Sequence, residues 1–101
     1  MITTHVLDTA RGRPAAGVPV RLLRGDDLLA EAATDADGRV GELGPQALPP
    51  GTYRLVFDVA AYAGTDAFFP EVAITFAVAD DRHHHVPLLL SPFGYSTYRG
   101  S

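Results

Sequence analysis

The feature that most constrains this chain is a two-residue alternation of apolar and polar side chains, held in short runs and broken by turn formers. Ile2–Asp8, Val18–Leu23, Leu28–Thr34, Thr52–Val59 and Val72–Val78 are the runs between the turns. Successive side chains of a strand point to opposite faces, so this period selects β-structure over helix. In Thr52–Val59, Tyr53, Leu55, Phe57 and Val59 fall on one face, with Thr52, Arg54 and Asp58 on the other. His83–Leu90 and Tyr95–Arg99 read as two further strands, joined by Ser91-Pro92-Phe93-Gly94. Thr9–Pro14, Gly25-Asp26-Asp27 and Asp35-Ala36-Asp37-Gly38 read as turns, with Gly38 free to supply a positive φ. Arg39–Val40 begins a short strand, and the Gly/Pro-rich stretch Gly41–Gly51 reads as loop. The alanines of Val59–Gly64 favour a turn or two of helix. Strands this short and this evenly spaced predict an all-β fold, an antiparallel β-sandwich. Its expected core is Val6, Val20, Leu22, Leu55, Phe57, Ile74, Phe76, Val86, Leu88 and Leu90.

Composition narrows the chemistry. At 101 residues and 47% hydrophobic, the chain is expected to form a single domain over 1–101 around one core. No apolar run approaches the ~20 residues that span a bilayer, so no membrane partner is expected. Met1–Asp8 lacks a basic segment followed by a long apolar one, and the expected compartment is cytoplasmic. The net charge is -4 and no basic stripe is present, which argues against a nucleic-acid partner. With no cysteine there are no disulfides, thiolate metal sites or thiol nucleophiles. All eight basic residues are arginine, so lysine chemistry is also excluded. Carboxylates, four histidines, hydroxyls and arginine remain.

The histidines concentrate in Arg82-His83-His84-His85-Val86-Pro87-Leu88-Leu89-Leu90. As a strand, this segment turns His84, Val86, Leu88 and Leu90 to the core, and His83, His85, Pro87 and Leu89 outward. A half-apolar outer face on so small a sandwich points to a subunit interface. The outward pair His83 and His85 admits three readings. It is an incidental feature of a surface strand; or part of a metal site, with His5 as third ligand; or an acid–base group, since imidazole titrates near neutrality.

Residues along the whole chain carry a resemblance. The C-terminal run from His85-Val86-Pro87-Leu88-Leu89-Leu90 through Ser91-Pro92-Phe93-Gly94 to Tyr98-Arg99-Gly100-Ser101 resembles the 5-hydroxyisourate hydrolase family, the transthyretin-related proteins of urate degradation. Thr4-His5-Val6-Leu7-Asp8-Thr9, Arg13-Pro14-Ala15-Ala16-Gly17-Val18-Pro19-Val20 and Thr34-Asp35-Ala36-Asp37-Gly38-Arg39 are similar to its earlier blocks. Gly51-Thr52-Tyr53-Arg54-Leu55 and Phe68-Phe69-Pro70-Glu71-Val72 follow in the same order. Two departures stand out: His84, where relatives often carry tyrosine, and a short Val59–Asp66 segment.

The resemblance implies a transthyretin-like sandwich of two four-stranded sheets with one short helix. It also implies a homotetramer, a dimer of dimers with active sites at the dimer–dimer interface. The implied reaction is hydrolysis of 5-hydroxyisourate to 2-oxo-4-hydroxy-4-carboxy-5-ureidoimidazoline, with no metal or other cofactor. Carried over, the catalytic residues are His5, Arg39, His85 and Ser101, and the substrate-binding residues are Arg39, Tyr98, Ser101 and His83. In that reading the histidines activate water, and the arginine holds substrate and stabilises the developing anion. Three alternatives stay open at this point: a transthyretin-like small-ligand binding protein without catalysis, a metal-dependent hydrolase using His5, His83 and His85, and a prealbumin-like structural domain with no chemistry.

Overall fold

The computed structural model describes residues 1–101 as two sheets packed face to face, with one short helix. In chain order the elements are β1 (Ile2–Asp8), β2 (Arg13–Pro14), β3 (Pro19–Arg24), β4 (Asp27–Ala33), β5 (Arg39–Leu43), β6 (Gly51–Asp58), α1 (Val59–Ala63), β7 (Glu71–Val78), β8 (His84–Ser91) and β9 (Gly94–Thr97). The first sheet runs β2-β1-β8-β9, with β5 also paired to β1; the second runs β4-β3-β6-β7. One edge of β1 is therefore shared, with β5 alongside Ile2–His5 and β2 alongside Leu7 and Asp8.

Alternation explains which side chains meet between the sheets. Ile2, Thr4, Val6 and Asp8 of β1 are buried, while Thr3, His5 and Leu7 stand half-buried on the outer face. In β8, His84, Val86, Leu88 and Leu90 turn inward and are 6%, 7%, 0% and 6% exposed, as the alternation predicts. Tyr53, Leu55 and Phe57 of β6 face them, with Val20 and Leu22 of β3 and Val72 and Ile74 of β7 completing one continuous core. Thr4 satisfies its buried hydroxyl on Val86 O at 2.6 Å, so the core holds a hydroxyl without an unpaired polar atom.

Several details differ from the expectation. Arg13–Pro14, within the stretch read as a turn, forms β2, and with β5 the first sheet has five strands where four are expected. The pair β1–β8 is parallel, in register from Ile2↔His84 to Asp8↔Leu90, while all other strand pairs are antiparallel. A period of two fixes faces but carries no information about partner or direction. Strand β5 continues through Gly41 to Leu43, inside the stretch read as loop, because Leu43 is buried opposite Ile2. Phe76 is only partly buried, since β7 is the edge of its sheet.

The helix is tied down from both sides. Asp58 caps it, accepting the Ala61 N–H at 3.1 Å, and Val59 is buried beneath it. Tyr62 Oη donates to Asp8 Oδ2 at 2.7 Å, and Asp8 Oδ1 accepts the N–H groups of Ala10 and Arg11, each at 3.1 Å. Burial by itself would raise the Asp8 pKa. The bonds from Tyr62, Arg11 and Ala10, with the Arg11 charge, outweigh it and hold the carboxyl below its ordinary value. A depressed carboxylate stabilises the fold above its unfolded pKa, and that contribution is lost as pH falls through the folded value. Tyr62→Phe is expected to lower stability at pH 7 by about 1–2 kcal/mol and to move acid unfolding to higher pH. Urea and acid titrations followed by circular dichroism check this; unchanged midpoints would remove Tyr62 from the account. In the same assay Phe57→Ala should cost about 3–5 kcal/mol, and Phe76→Ala clearly less, because only Phe57 leaves an enclosed cavity.

Candidate active site

The outer face of the first sheet collects the polar residues singled out from the sequence. The turn Asp35–Gly38 comes first, because it sets two of them. Asp35 Oδ1 accepts the N–H groups of Asp37 and Arg39 at 2.9 and 3.0 Å, and Asp35 O accepts the Gly38 N–H at 2.9 Å. Gly38 sits at φ +74°, and a Cβ there would run into Val6 O, so only glycine closes this turn against β1. Arg39 then enters β5 directly opposite His5 of β1. His5 Nε2 lies 2.8 Å from Asp37 O. A carbonyl only accepts, so Nε2 carries the proton, and a neutral His5 keeps its lone pair on Nδ1. None of the three ion pairs involves Arg39, whose guanidinium is exposed with no carboxylate partner.

On the other side of β1, the parallel register sets Thr3 beside His85. Thr3 Oγ1 lies 2.7 Å from His85 Nδ1 and 2.6 Å from His83 Nε2, and the two imidazole centroids are 6.2 Å apart. His85 Nε2 has no protein partner; as no buried side-chain polar atom is unpartnered, this nitrogen reaches solvent. Burial, then the charges of His83, Arg39 and His5, push the His85 pKa below its ordinary 6.5, against a smaller opposing effect of Thr3. His85 is thus a neutral imidazole at neutral pH, with one nitrogen held and one free.

The C-terminal segment returns to the same place. Strand β9 ends at Thr97, two residues before the predicted strand end. Beyond it the Gly100 N–H donates to His85 O at 2.8 Å and forms an isolated bridge. A Cβ on Gly100 would strike His85 Cδ2 and sit 3.1 Å from Cγ, so the chain at Gly100 packs too close to the imidazole for any side chain. Ser101 follows that bridge and is exposed. Tyr98 is 60% exposed and lines a groove with His84, His85 and Arg99. A separate cavity, walled by Tyr62, Phe68, Phe69 and Phe93 around Asp8, contains none of the predicted site residues.

The predicted residues therefore divide by how firmly the fold holds them. His5, Arg39 and His85 share one face across β5, β1 and β8, and His83, one residue before β8, joins them through Thr3. The C-terminal tail meets His85 at Gly100, with Ser101 exposed beyond it and Tyr98 in a groove beside β7. His84 turns inward, as expected from its parity. Thr3 and Gly100 were not singled out from the sequence. A threonine in a strand carries no signal of its own, although its position two residues before His5 puts it on the same face.

Residues 2–100 match the family model described as HIUase/Transthyretin family. The chain is 52% identical to 5-hydroxyisourate hydrolase 2 of Rhizobium meliloti, covering 99% of this chain and 95% of that protein. It is 48% identical to the Arabidopsis thaliana uric acid degradation bifunctional protein TTL, of which it spans 37% of the length. Among solved structures, Klebsiella pneumoniae 5-hydroxyisourate hydrolase superposes with a TM-score of 0.91 at 41% identity, covering 99% of this chain and 98% of that one. Sea bream transthyretin in complex with thyroxine gives a TM-score of 0.86 at 32% identity, covering 98% and 93%. By its sequence from end to end and by its fold, the chain belongs to the HIUase/transthyretin family.

Proposed function

We propose that this protein is a 5-hydroxyisourate hydrolase, opening 5-hydroxyisourate to 2-oxo-4-hydroxy-4-carboxy-5-ureidoimidazoline within urate degradation. The observation that carries the reading is the convergence of His5, Arg39 and His85 from three strands onto one face, in a chain similar over its length to enzymes of that name.

Water attacks a ring acyl carbon, a C–O bond forms, and the C–N bond to the ring nitrogen breaks. This needs a base for the water, donors for the oxyanion and a proton for the departing nitrogen. His85, neutral and open at Nε2, serves as the base. His5, held through Nε2 by Asp37 O, positions the water with its Nδ1 lone pair. Arg39 has five N–H donors and no internal carboxylate to satisfy, and it binds the substrate's oxygens and the developing anion. Ser101 orients substrate or water, and Tyr98 and His83 contribute to binding. No cofactor enters this reading.

The same face also supports an assembly. Beside the polar residues it carries half-buried Leu7 and Leu89, and one outer face of a sheet leaves a site open to water. A homotetramer, a dimer of dimers with the site at the dimer–dimer interface, would supply the missing wall. The reading includes one domain over residues 1–101 and a cytoplasmic location; no helix is long and apolar enough to cross a membrane.

Freshly generated 5-hydroxyisourate should decay far faster with the protein than without it, in buffer containing a chelator. His85→Ala and Arg39→Ala should each lose about 100-fold or more in turnover while keeping the wild-type circular dichroism. Wild-type activity should fall as pH drops through a value below 6.5, where His85 takes a proton. No acceleration by the folded wild type would turn the reading to ligand binding without catalysis; activity that disappears with chelator and returns with metal would turn it to a metal-dependent hydrolase. Gly100→Ala should also lose activity with the fold intact, because the added methyl displaces either the imidazole of His85 or the terminal segment that lies on it. Full turnover by that variant would assign no role to the contact.

A further inference from the structure

The hydroxyl of Thr3 stands between two imidazoles, and the valence of oxygen restricts what the three groups can do together. A threonine hydroxyl has one proton to donate and two lone pairs to accept with. Its neighbours are His85 Nδ1 at 2.7 Å and His83 Nε2 at 2.6 Å, both short enough for strong hydrogen bonds. With both rings neutral, both can donate to Thr3 only if its own proton turns to solvent, since Thr3 Oγ1 has no other protein partner; two arrangements keep that proton between the rings. In one, His85 Nδ1–H donates to Thr3 Oγ1 and Thr3 O–H donates to His83 Nε2. In the other every bond reverses: His83 Nε2–H donates to Thr3, and Thr3 donates to His85 Nδ1. The first leaves a lone pair on the solvent-facing Nε2 of His85, which makes it a base. The second leaves a proton there, which makes it an acid.

We infer that Thr3 is a positioning residue that couples the proton states of His85 and His83, relaying a proton between them so that one open nitrogen serves first as base and then as acid. The inference rests on the hydrolase reading and deepens it. When His85 Nε2 takes a proton from water, its Nδ1 proton passes to Thr3 and the Thr3 proton passes to His83 Nε2. The charge then sits on His83. When His85 Nε2–H is delivered to the departing ring nitrogen, the two transfers reverse and all three groups return to their starting states. No proton is gained or lost by the relay.

The surroundings favour moving the charge outward. His83 is exposed, whereas His85 is half-buried with Arg39 of β5 and His5 of β1 facing it and the Gly100 backbone against its ring. A cation costs less where water solvates it. Thr3 itself sits on the paired backbone of β1, directly opposite His85 in the parallel register, so the sheet fixes the Thr3–His85 contact, while His83 stands at the residue immediately before β8.

Two measurements test this. Nitrogen-15 NMR of the histidine rings at neutral pH should show His85 and His83 both protonated at Nδ1 in the wild type, and a loss of that fixed tautomer in Thr3→Val. Steady-state hydrolysis should show Thr3→Val reduced in kcat by roughly tenfold or more with KM nearly unchanged, a loss typical of removing the partner that orients a working imidazole. Thr3→Ser, which keeps the hydroxyl, should recover most of the rate. His83→Ala should lower kcat similarly, and the double variant Thr3→Val/His83→Ala should be no worse than either single one, because both cut the same relay. Additive losses, failure of serine to rescue, or unchanged ring tautomers in Thr3→Val would overturn the inference. If the wild type does not hydrolyse 5-hydroxyisourate, the hydrolase reading fails on its own, and the tautomer measurement still decides whether Thr3 couples the two rings.

Discussion

The parallel pairing of β1 with β8 is the constraint on which the rest of this molecule depends. Seven residues of each strand are in register, from Ile2↔His84 to Asp8↔Leu90. On the inner face this pairing stacks Ile2, Val6, Val86, Leu88 and Leu90 into the wall that meets β6 and β3. On the outer face it brings Thr3 to His85 across most of the chain's length. A slip of one residue would exchange the two faces, sending the outer-face histidines into the core and the apolar residues into water. Burial of the inner face thus fixes the outer one. The energy that holds the candidate site in place is the hydrophobic energy of the sandwich, because the site has few bonds of its own.

Short-range chemistry completes what the pairing begins. The Asp35–Gly38 turn uses one carboxylate oxygen and one positive-φ glycine to deliver Arg39 opposite His5 and to place a carbonyl on the His5 ring. The Gly100 bridge does the same for the C-terminus, bringing a tail that has left the sheet back onto His85. In both cases a glycine is needed because backbone approaches a neighbour closely enough to exclude a Cβ. His5, His83 and His85 each have one nitrogen bonded to the protein and one available. For an imidazole that must choose between giving and taking a proton, this arrangement matters more than its exposure.

Much of the architecture is legible in the residues. Alternation marks the main strands and, through parity, sorts His84 inward from His83 and His85. What fails to register has identifiable physical causes. The last residues of β5 lie among glycines and prolines, and Gly41 breaks the pattern that Leu43 and its partner Ile2 restore only once paired. Phe76 looks like core by parity, but β7 is an edge, so burial there depends on how far the facing sheet extends. Thr3 is an ordinary strand hydroxyl until β8 is laid beside it.

The sequence by itself determined the period of the strands, the faces they present and the set of groups available for chemistry, because these follow from local sterics and from residue identity. Its blocks, taken in order, also pointed to the family and to His5, Arg39, His85 and Ser101. Only the tertiary structure decided that β1 and β8 run parallel, that Asp37 O fixes one imidazole, and that a single hydroxyl links two others. Those facts are distances between residues far apart in the chain, set by which buried faces pack together, and no local pattern encodes them.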